Sequence, residues 1–259
     1  MTKKEIIENN FSRHANCYDD YSVVQAIAAK RLIALLNRHD YKCILDLGCG
    51  TGTYTQALLE RFPKAQITAI DISSEMIKVA SDKFHSKNIT FITEDAETVK
   101  LKDGFDLITA NASFQWFGNF KETVSKYSSN LSRGGALLFS MFGPDTFCEL
   151  SKALSVLLRE KSVISSDKFL KKEKIKGILN QYLKNITLEE KIYRQKYSSF
   201  ASLLKNIKYS GTRGSGAGRK NLWTPKIMND LEKVYRDKFP SQTGEVEATY
   251  QVFFCKGEK

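Results

Sequence analysis

Residues 43–62 read CILDLGCGTGTYTQALLERF: a short β run, a glycine-rich turn, then a helical pattern. Gly48, Gly50 and Gly52 let the backbone adopt angles that a Cβ forbids and let a ligand approach it closely. The spacing is GxGxG, and Thr53 stands where the GxGxxG of dinucleotide binders has its third glycine. Asp46 lies two residues before the first glycine. A carboxylate there repels pyrophosphate and suits a ligand that carries an ammonium group.

The pattern repeats outward from this turn. AQITAIDIS (65–73) reads as a second strand, and SEMIKVASDKF (74–84) as a helix capped by Ser73 or Ser74 with Glu75 in its acidic first turn. NITFITEDAE (88–97) is a third strand ending in acids. FDLITANASF (105–114) is a fourth, followed by a helix around 121–131, a turn at Gly134-Gly135 and a fifth strand, ALLFSMF (136–142). Alternating strands and helices with short loops predict a parallel sheet covered on both faces. Upstream, residues 5–37 read as helical. Downstream, 146–183 is mostly helical and basic. ITLEEKIYRQKYS (186–198) predicts a sixth strand, FASLLKNIKYSG a helix ended by Gly211, and RGSGAGRKN a basic glycine-rich loop. TPKIMNDLEKVYRDKF is a last helix with Pro225 in its first turn, and EVEATYQVFFCKG a seventh strand.

Ligands of open α/β sheets bind at the carboxyl ends of the strands, where the strand order reverses. Asp71 ends the second strand, where a carboxylate accepts bonds from both ribose hydroxyls. Asp95-Ala96 follows the third strand and offers a side chain and a backbone N–H to an adenine edge. Met76 and Ile72 are placed to sandwich the ring.

Composition narrows the function. The chain has 259 residues, 42% hydrophobic and 27% charged, ordinary for a globular protein and unlike a disordered one. No apolar run approaches the ~20 residues of a membrane span. The start, MTKKEIIENN, is charged throughout and predicts no secretory signal. Five cysteines, an odd number without a CxxC pair, predict reduced thiols in a cytoplasm and argue against structural zinc or a disulfide frame. Net charge is +11, and between residues 151 and 240 there are 21 Lys and Arg against 8 Asp and Glu. That excess predicts either a solvated helical face or a surface for an acidic partner.

The glycine turn, the ribose acid and the adenine-reading Asp95 together resemble the class I S-adenosylmethionine-dependent methyltransferases, over strands one to five. Further stretches resemble the malonyl-acyl-carrier-protein O-methyltransferases of biotin synthesis: FSRHANCYDDYSVVQ near the N-terminus, NASFQWF after strand four, LSRGGALLFSMFGPDTFCEL, and LLKNIKYSGTRGSG. Ser132-Arg133 departs from the Lys-Pro usual before the paired glycines, a difference that touches a turn and not the cofactor site.

The resemblance implies a single α/β domain over residues 1–259: a seven-stranded Rossmann-like sheet, mostly parallel with the last strand antiparallel. It further implies an N-terminal helical cover at about 1–38 and basic helical lid segments at about 146–185 and 199–240. The implied cofactor is S-adenosyl-L-methionine, bound by Tyr18, Asp46, Gly48, Gly50, Asp71, Ile72, Met76, Asp95, Ala96 and Asn111. The implied reaction methylates the free carboxylate of a malonyl thioester on an acidic acyl carrier protein in the cytoplasm. No metal, nucleic acid or membrane is called for. That carboxylate is already ionised at neutral pH, so no general base is needed. His14, His39 and His85 all lie away from the strand ends. Tyr18, Gln115, Trp116 and Arg213 are then the positioning groups, with Arg13 a weaker one, and the cluster Lys171, Lys172, Lys174 is placed to dock the carrier protein.

Rival readings share the cofactor. A base-amine methyltransferase usually follows strand four with a [NDS]-P-P-[YFW] motif, whereas Asn111-Ala112-Ser113-Phe114 has no proline. An RNA methyltransferase of another type, a methyltransferase for a free small carboxylate and a non-catalytic cofactor-binding partner subunit stay open at the level of sequence.

Overall fold

In the computed structural model, which describes residues 1–38, 40–84, 86–159, 164–212 and 224–259, the chain opens with helices α1 (Lys3–Ser12), α2 (Tyr18–Tyr21) and α3 (Val23–Ala34). The alternating core follows as β1 (Cys43–Leu47), α4 (Thr53–Arg61), β2 (Gln66–Asp71), α5 (Ser74–Lys83), β3 (Ile89–Thr93), β4 (Phe105–Ala110), α6 (Phe120–Asn130) and β5 (Leu131–Phe142). Then come α7 (Cys148–Leu158), α8 (Lys172–Leu179), β6 (Lys184–Tyr197), α9 (Phe200–Tyr209), α10 (Pro225–Lys238) and β7 (Val246–Glu258).

One seven-stranded sheet runs in the order β3-β2-β1-β4-β5-β7-β6. Strands β1 to β5 pair in parallel, and β7 is antiparallel to both β5 and β6, as expected of the last strand. The order reverses between β1 and β4, so the crevice beyond their carboxyl ends is the natural ligand site.

Side-chain alternation along the strands feeds two cores. Ile44, Leu107 and Leu138 join Leu32 of α3 and Leu58 of α4 on one face. Leu45, Ile108 and Leu137 join Val124 and Tyr127 of α6 on the other. Leu32, Ile44, Leu45 and Leu58 are wholly buried, and each such side chain contributes ~1.5–3 kcal/mol relative to exposure. Asp46 shares the Ile44 side and so points toward α4.

Three boundaries differ from the sequence expectation. The helical stretch at 5–37 breaks between α1 and α3, where His14 and Cys17 leave helical angles (φ −123° and −120°). The interruption carries Asp19 to the glycine loop, where its carboxylate accepts from Thr51 Oγ1 (2.5 Å) and Thr53 Oγ1 (3.2 Å) and pairs with Lys83. Strand β3 ends at Thr93 because the chain turns at Asp95, whose Oδ1 accepts the Glu97 N–H at 2.9 Å. Strand β5 begins at Leu131, and the expected Gly134-Gly135 turn is a register shift inside it: Phe105 opposes Leu131, whereas Leu107 already opposes Ala136. A Cβ on Gly135 would lie 2.9 Å from the Phe105 carbonyl oxygen, so the irregularity needs glycine. Ser73 is the cap of α5, accepting the Met76 N–H at 3.2 Å, and Thr224 caps α10 ahead of Pro225. Among the described residues no helix is long and apolar enough to cross a membrane.

Candidate active site

The glycine turn after β1 is folded tightly against β2. The N–H groups of Gly48 and Cys49 both donate to the Ile70 carbonyl, at 2.7 and 3.0 Å. Gly48 has φ +68°, and a Cβ there would come within 2.5 Å of the Ser113 Cβ. Glycine is therefore required twice over, by conformation and by the approach of the loop after β4. Ser113 fixes that approach by donating to the Leu47 carbonyl at 2.8 Å.

Asp71 ties the turn to the end of β2. Its Oδ2 accepts the Gly50 N–H and its Oδ1 the Ser73 N–H, both at 2.9 Å. Burial raises its carboxyl above the ordinary range, against the pull of these backbone donors. Asp46 lies deeper and is fully buried. Its Oδ2 accepts from Thr55 Oγ1 at 2.6 Å, while Oδ1 has no hydrogen-bond partner among the described residues. Burial pushes this carboxyl up to about 7, the Thr55 bond pulls it down, and the Asp71 charge adds to the rise. A buried carboxylate oxygen with nothing to accept from is costly unless a ligand completes it.

The carboxyl ends of the strands and the N-terminal helices enclose one cleft. Gly48, Gly50, Asp71, Ile72, Met76, Asp95, Ala96, Asn111, Tyr18 and Trp116 all line it, so the residues singled out in sequence come together there. Asp46 lines the adjoining recess, which shares Tyr18, Gly48, Gly50 and Asn111 with the cleft. The Tyr18 phenol is raised well above its ordinary value by burial and by the charges of Asp19 and Asp71, against a pull from the neighbouring Gln25 side chain. Asn111 is held at both ends: Nδ2 donates to the Gln25 carbonyl (3.0 Å) and Oδ1 accepts from Ser140 Oγ (2.8 Å).

Gln115 takes another place. Its Nε2 donates to the Ala112 carbonyl at 2.6 Å and its Oε1 accepts the Phe142 N–H at 3.2 Å; it lines a neighbouring cavity and not this cleft. It pins the loop at Ala112, a non-glycine residue held at φ +51°. His14 packs on Tyr209 with ring centroids 4.5 Å apart and does not line the cleft. Arg213, His39 and His85 lie outside the described residues. Lys171 and Lys174 are exposed, while Lys172 pairs with Glu190 at 3.6 Å.

Several lining residues had no sequence signal. Lys4 of α1 reaches across the cleft mouth to Asp95 Oδ2 (2.5 Å) and Glu97 Oε2 (2.7 Å). Phe11 packs edge-on to Trp116 at 6.0 Å, and Ser12 Oγ meets Ser73 Oγ at 2.8 Å. So α1 is fastened over the strand ends. The free space beneath it is about 100 Å³, against ~300–1,000 Å³ for small-molecule pockets.

Comparison with known proteins places this geometry. A family model described as a methyltransferase domain matches residues 44–135. Two solved structures share the fold: the YcgJ protein from Bacillus subtilis (TM-score 0.63, 17% identity, 90% of this chain and 98% of that one) and Haemonchus contortus phosphoethanolamine N-methyltransferase 2 (TM-score 0.63, 15% identity, 99% and 60%). The fold is that of a methyltransferase. Malonyl-[acyl-carrier protein] O-methyltransferase of Bacillus cytotoxicus is 34% identical over 267 residues, covering 100% of this chain and 93% of its own. Malonyl-[acyl-carrier protein] O-methyltransferase 2 of Ilyobacter polytropus is 35% identical over 260 residues, covering 100% and 99%. The chain belongs to the malonyl-[acyl-carrier protein] O-methyltransferase family.

Proposed function

We propose that the protein transfers a methyl group from S-adenosyl-L-methionine to the free carboxylate of a malonyl group carried on acyl carrier protein, giving the methyl ester that enters biotin synthesis. The observation that carries the reading is the orphaned Asp46 Oδ1, buried beside the glycine turn. An amino-acid ammonium is the group that would complete it, and a dinucleotide has none. The other residues fit the rest of such a ligand. Asp71 stands at the end of β2 for ribose hydroxyls, Asp95 and the Ala96 N–H for the adenine edge, and Ile72 and Met76 for its faces. Tyr18 is a neutral hydroxyl at the junction of cleft and recess, suited to the methionine carboxylate.

When bound, S-adenosylmethionine supplies an electrophilic methyl group on a positively charged sulfur. The chain's own part is to bind, orient and exclude water. No proton needs to move, because the accepting carboxylate is ionised at neutral pH. In keeping with this, the only carboxylates of the described cleft lining, Asp71 and Asp95, are engaged by backbone N–H groups and Lys4. Methylation of the carboxylate hides its charge from enzymes that elongate apolar acyl chains.

The carrier protein is acidic, and the basic segment at 151–240 offers it a complementary surface. The setting for such a partner is the cytoplasm. Labelled S-adenosylmethionine offered with malonyl carrier protein, malonyl-CoA, free malonate and bulk tRNA tests the reading. Base-labile label in the carrier-protein band is the expected result. Label in tRNA alone, or in none of the malonyl compounds, overturns it.

A further inference from the structure

Beside the cofactor cleft lies a second, larger cavity of about 480 Å³. Trp116 belongs to the linings of both spaces. Phe169 stands edge-on to Trp116 at 5.4 Å and continues the aromatic floor away from the cleft. The volume falls within the range of small-molecule sites, ~300–1,000 Å³.

The mouth of this cavity has a different chemistry from its floor. Lys3 of α1, Lys121 of α6, Lys168 of the short helical turn Ser165–Lys168 and Lys174 of α8 all line it. They come from four separate segments, so a single amphipathic helix face does not explain them. All four are exposed. Among the described residues none of the four takes part in an ion pair, whereas Lys4, Lys83 and Lys172 each have a carboxylate. Unpaired cations gathered around one opening repel one another and hold an anion well, the more so above a low-dielectric wall.

We propose that this cavity receives the 4′-phosphopantetheine arm of the acyl carrier, with its phosphodiester held by Lys168 and Lys174, assisted by Lys3 and Lys121. The inference rests on the functional reading above and adds the route and the anchor. The arm is slender and mostly uncharged, which suits the aromatic floor, and its one charged group sits at the end away from the acyl thioester. Seating the phosphate at the lysine mouth directs the acyl end toward Trp116, the wall shared with the cofactor cleft. Lysine is a point charge without the bidentate fork of arginine, so several are needed to fix one phosphate.

The test compares two truncated substrates, malonyl thioesters of 4′-phosphopantetheine and of pantetheine, with malonyl carrier protein as reference. The wild-type protein should prefer the phosphorylated thioester at least tenfold in kcat/KM, chiefly through KM. In Lys168→Met/Lys174→Met that preference should shrink at least fivefold. Lys30→Met/Lys64→Met, which removes the same charge far from the cavity, should keep it. Methylation of malonyl carrier protein without any preference between the two thioesters, or a preference that survives in Lys168→Met/Lys174→Met, overturns this inference and leaves the functional reading standing. No methylation of any malonyl compound overturns the reading beneath it.

Discussion

Thr55 donates its hydroxyl to Asp46 Oδ2 over 2.6 Å, and no described residue donates to Oδ1 of the same buried carboxylate. The pair sits where β1 meets α4, half-satisfied by the protein. Asp46→Asn keeps the shape and removes the charge. Binding of S-adenosylhomocysteine, read by titration calorimetry, should weaken by ~3 kcal/mol, about 100-fold, because a buried ammonium loses its counter-charge.

The same substitution should stabilise the ligand-free protein. The folded carboxyl titrates at about 7, above its ordinary 3.8. Its contribution is therefore intact below about pH 4 and is lost as pH rises toward 7, where the buried group ionises at a cost on the order of 4 kcal/mol. Thermal unfolding of Asp46→Asn should occur several degrees higher than wild type at pH 8, and the difference should nearly vanish at pH 4.5.

Cofactor affinity should depend on pH through Asp46. A bound ammonium lowers the carboxyl below its free value of about 7, so binding expels a proton below that pH. Affinity should rise by up to tenfold per pH unit as pH approaches 7 and level off above it. Calorimetry between pH 5.5 and 8.5 checks this, and Asp46→Asn should flatten the slope.

Gly48→Ala should be among the most damaging changes in the glycine turn. The added carbon meets the Ser113 Cβ at 2.5 Å, and the φ of +68° disfavours any L side chain. A loss of ~2 kcal/mol of stability is expected, together with weakened cofactor binding. Pairing it with Ser113→Gly removes the clash but not the backbone strain, so chemical denaturation should show partial recovery.

Lys4→Met should loosen α1. Its two ion pairs, to Asp95 and Glu97, are partly exposed and together hold the helix by ~1 kcal/mol. Stopped-flow measurements should show faster ligand entry and exit, by about two- to fivefold each, with equilibrium affinity changed less than either rate.

The strand–turn–helix alternation was legible because each buried strand is a short apolar run bounded by glycine, acid or serine. The cleft was legible for a related reason: Asp46, Asp71 and Asp95 sit at strand ends, where parallel pairing gathers side chains far apart in sequence. What escaped was whatever depends on one long-range contact. Nothing local in 5–37 announces that Asp19 is drawn to Thr51 and Thr53 and interrupts the helix. Nothing in MTKKEI marks Lys4 as the residue that reaches Asp95. Gln115, expected to position a ligand, lines the cavity beside the cofactor cleft and also secures the backbone of Ala112 and Phe142, a place fixed by the loop's path and not by its composition.

The placement of the three aspartates carries a kinetic consequence. In the proposed seating they address the amino group, the ribose and the base, all of which outlast methyl donation. The spent cofactor therefore keeps nearly every handle that the fresh one had, and it must compete for the same berth. Sustained turnover in this protein then hinges on how quickly the by-product is cleared from its surroundings.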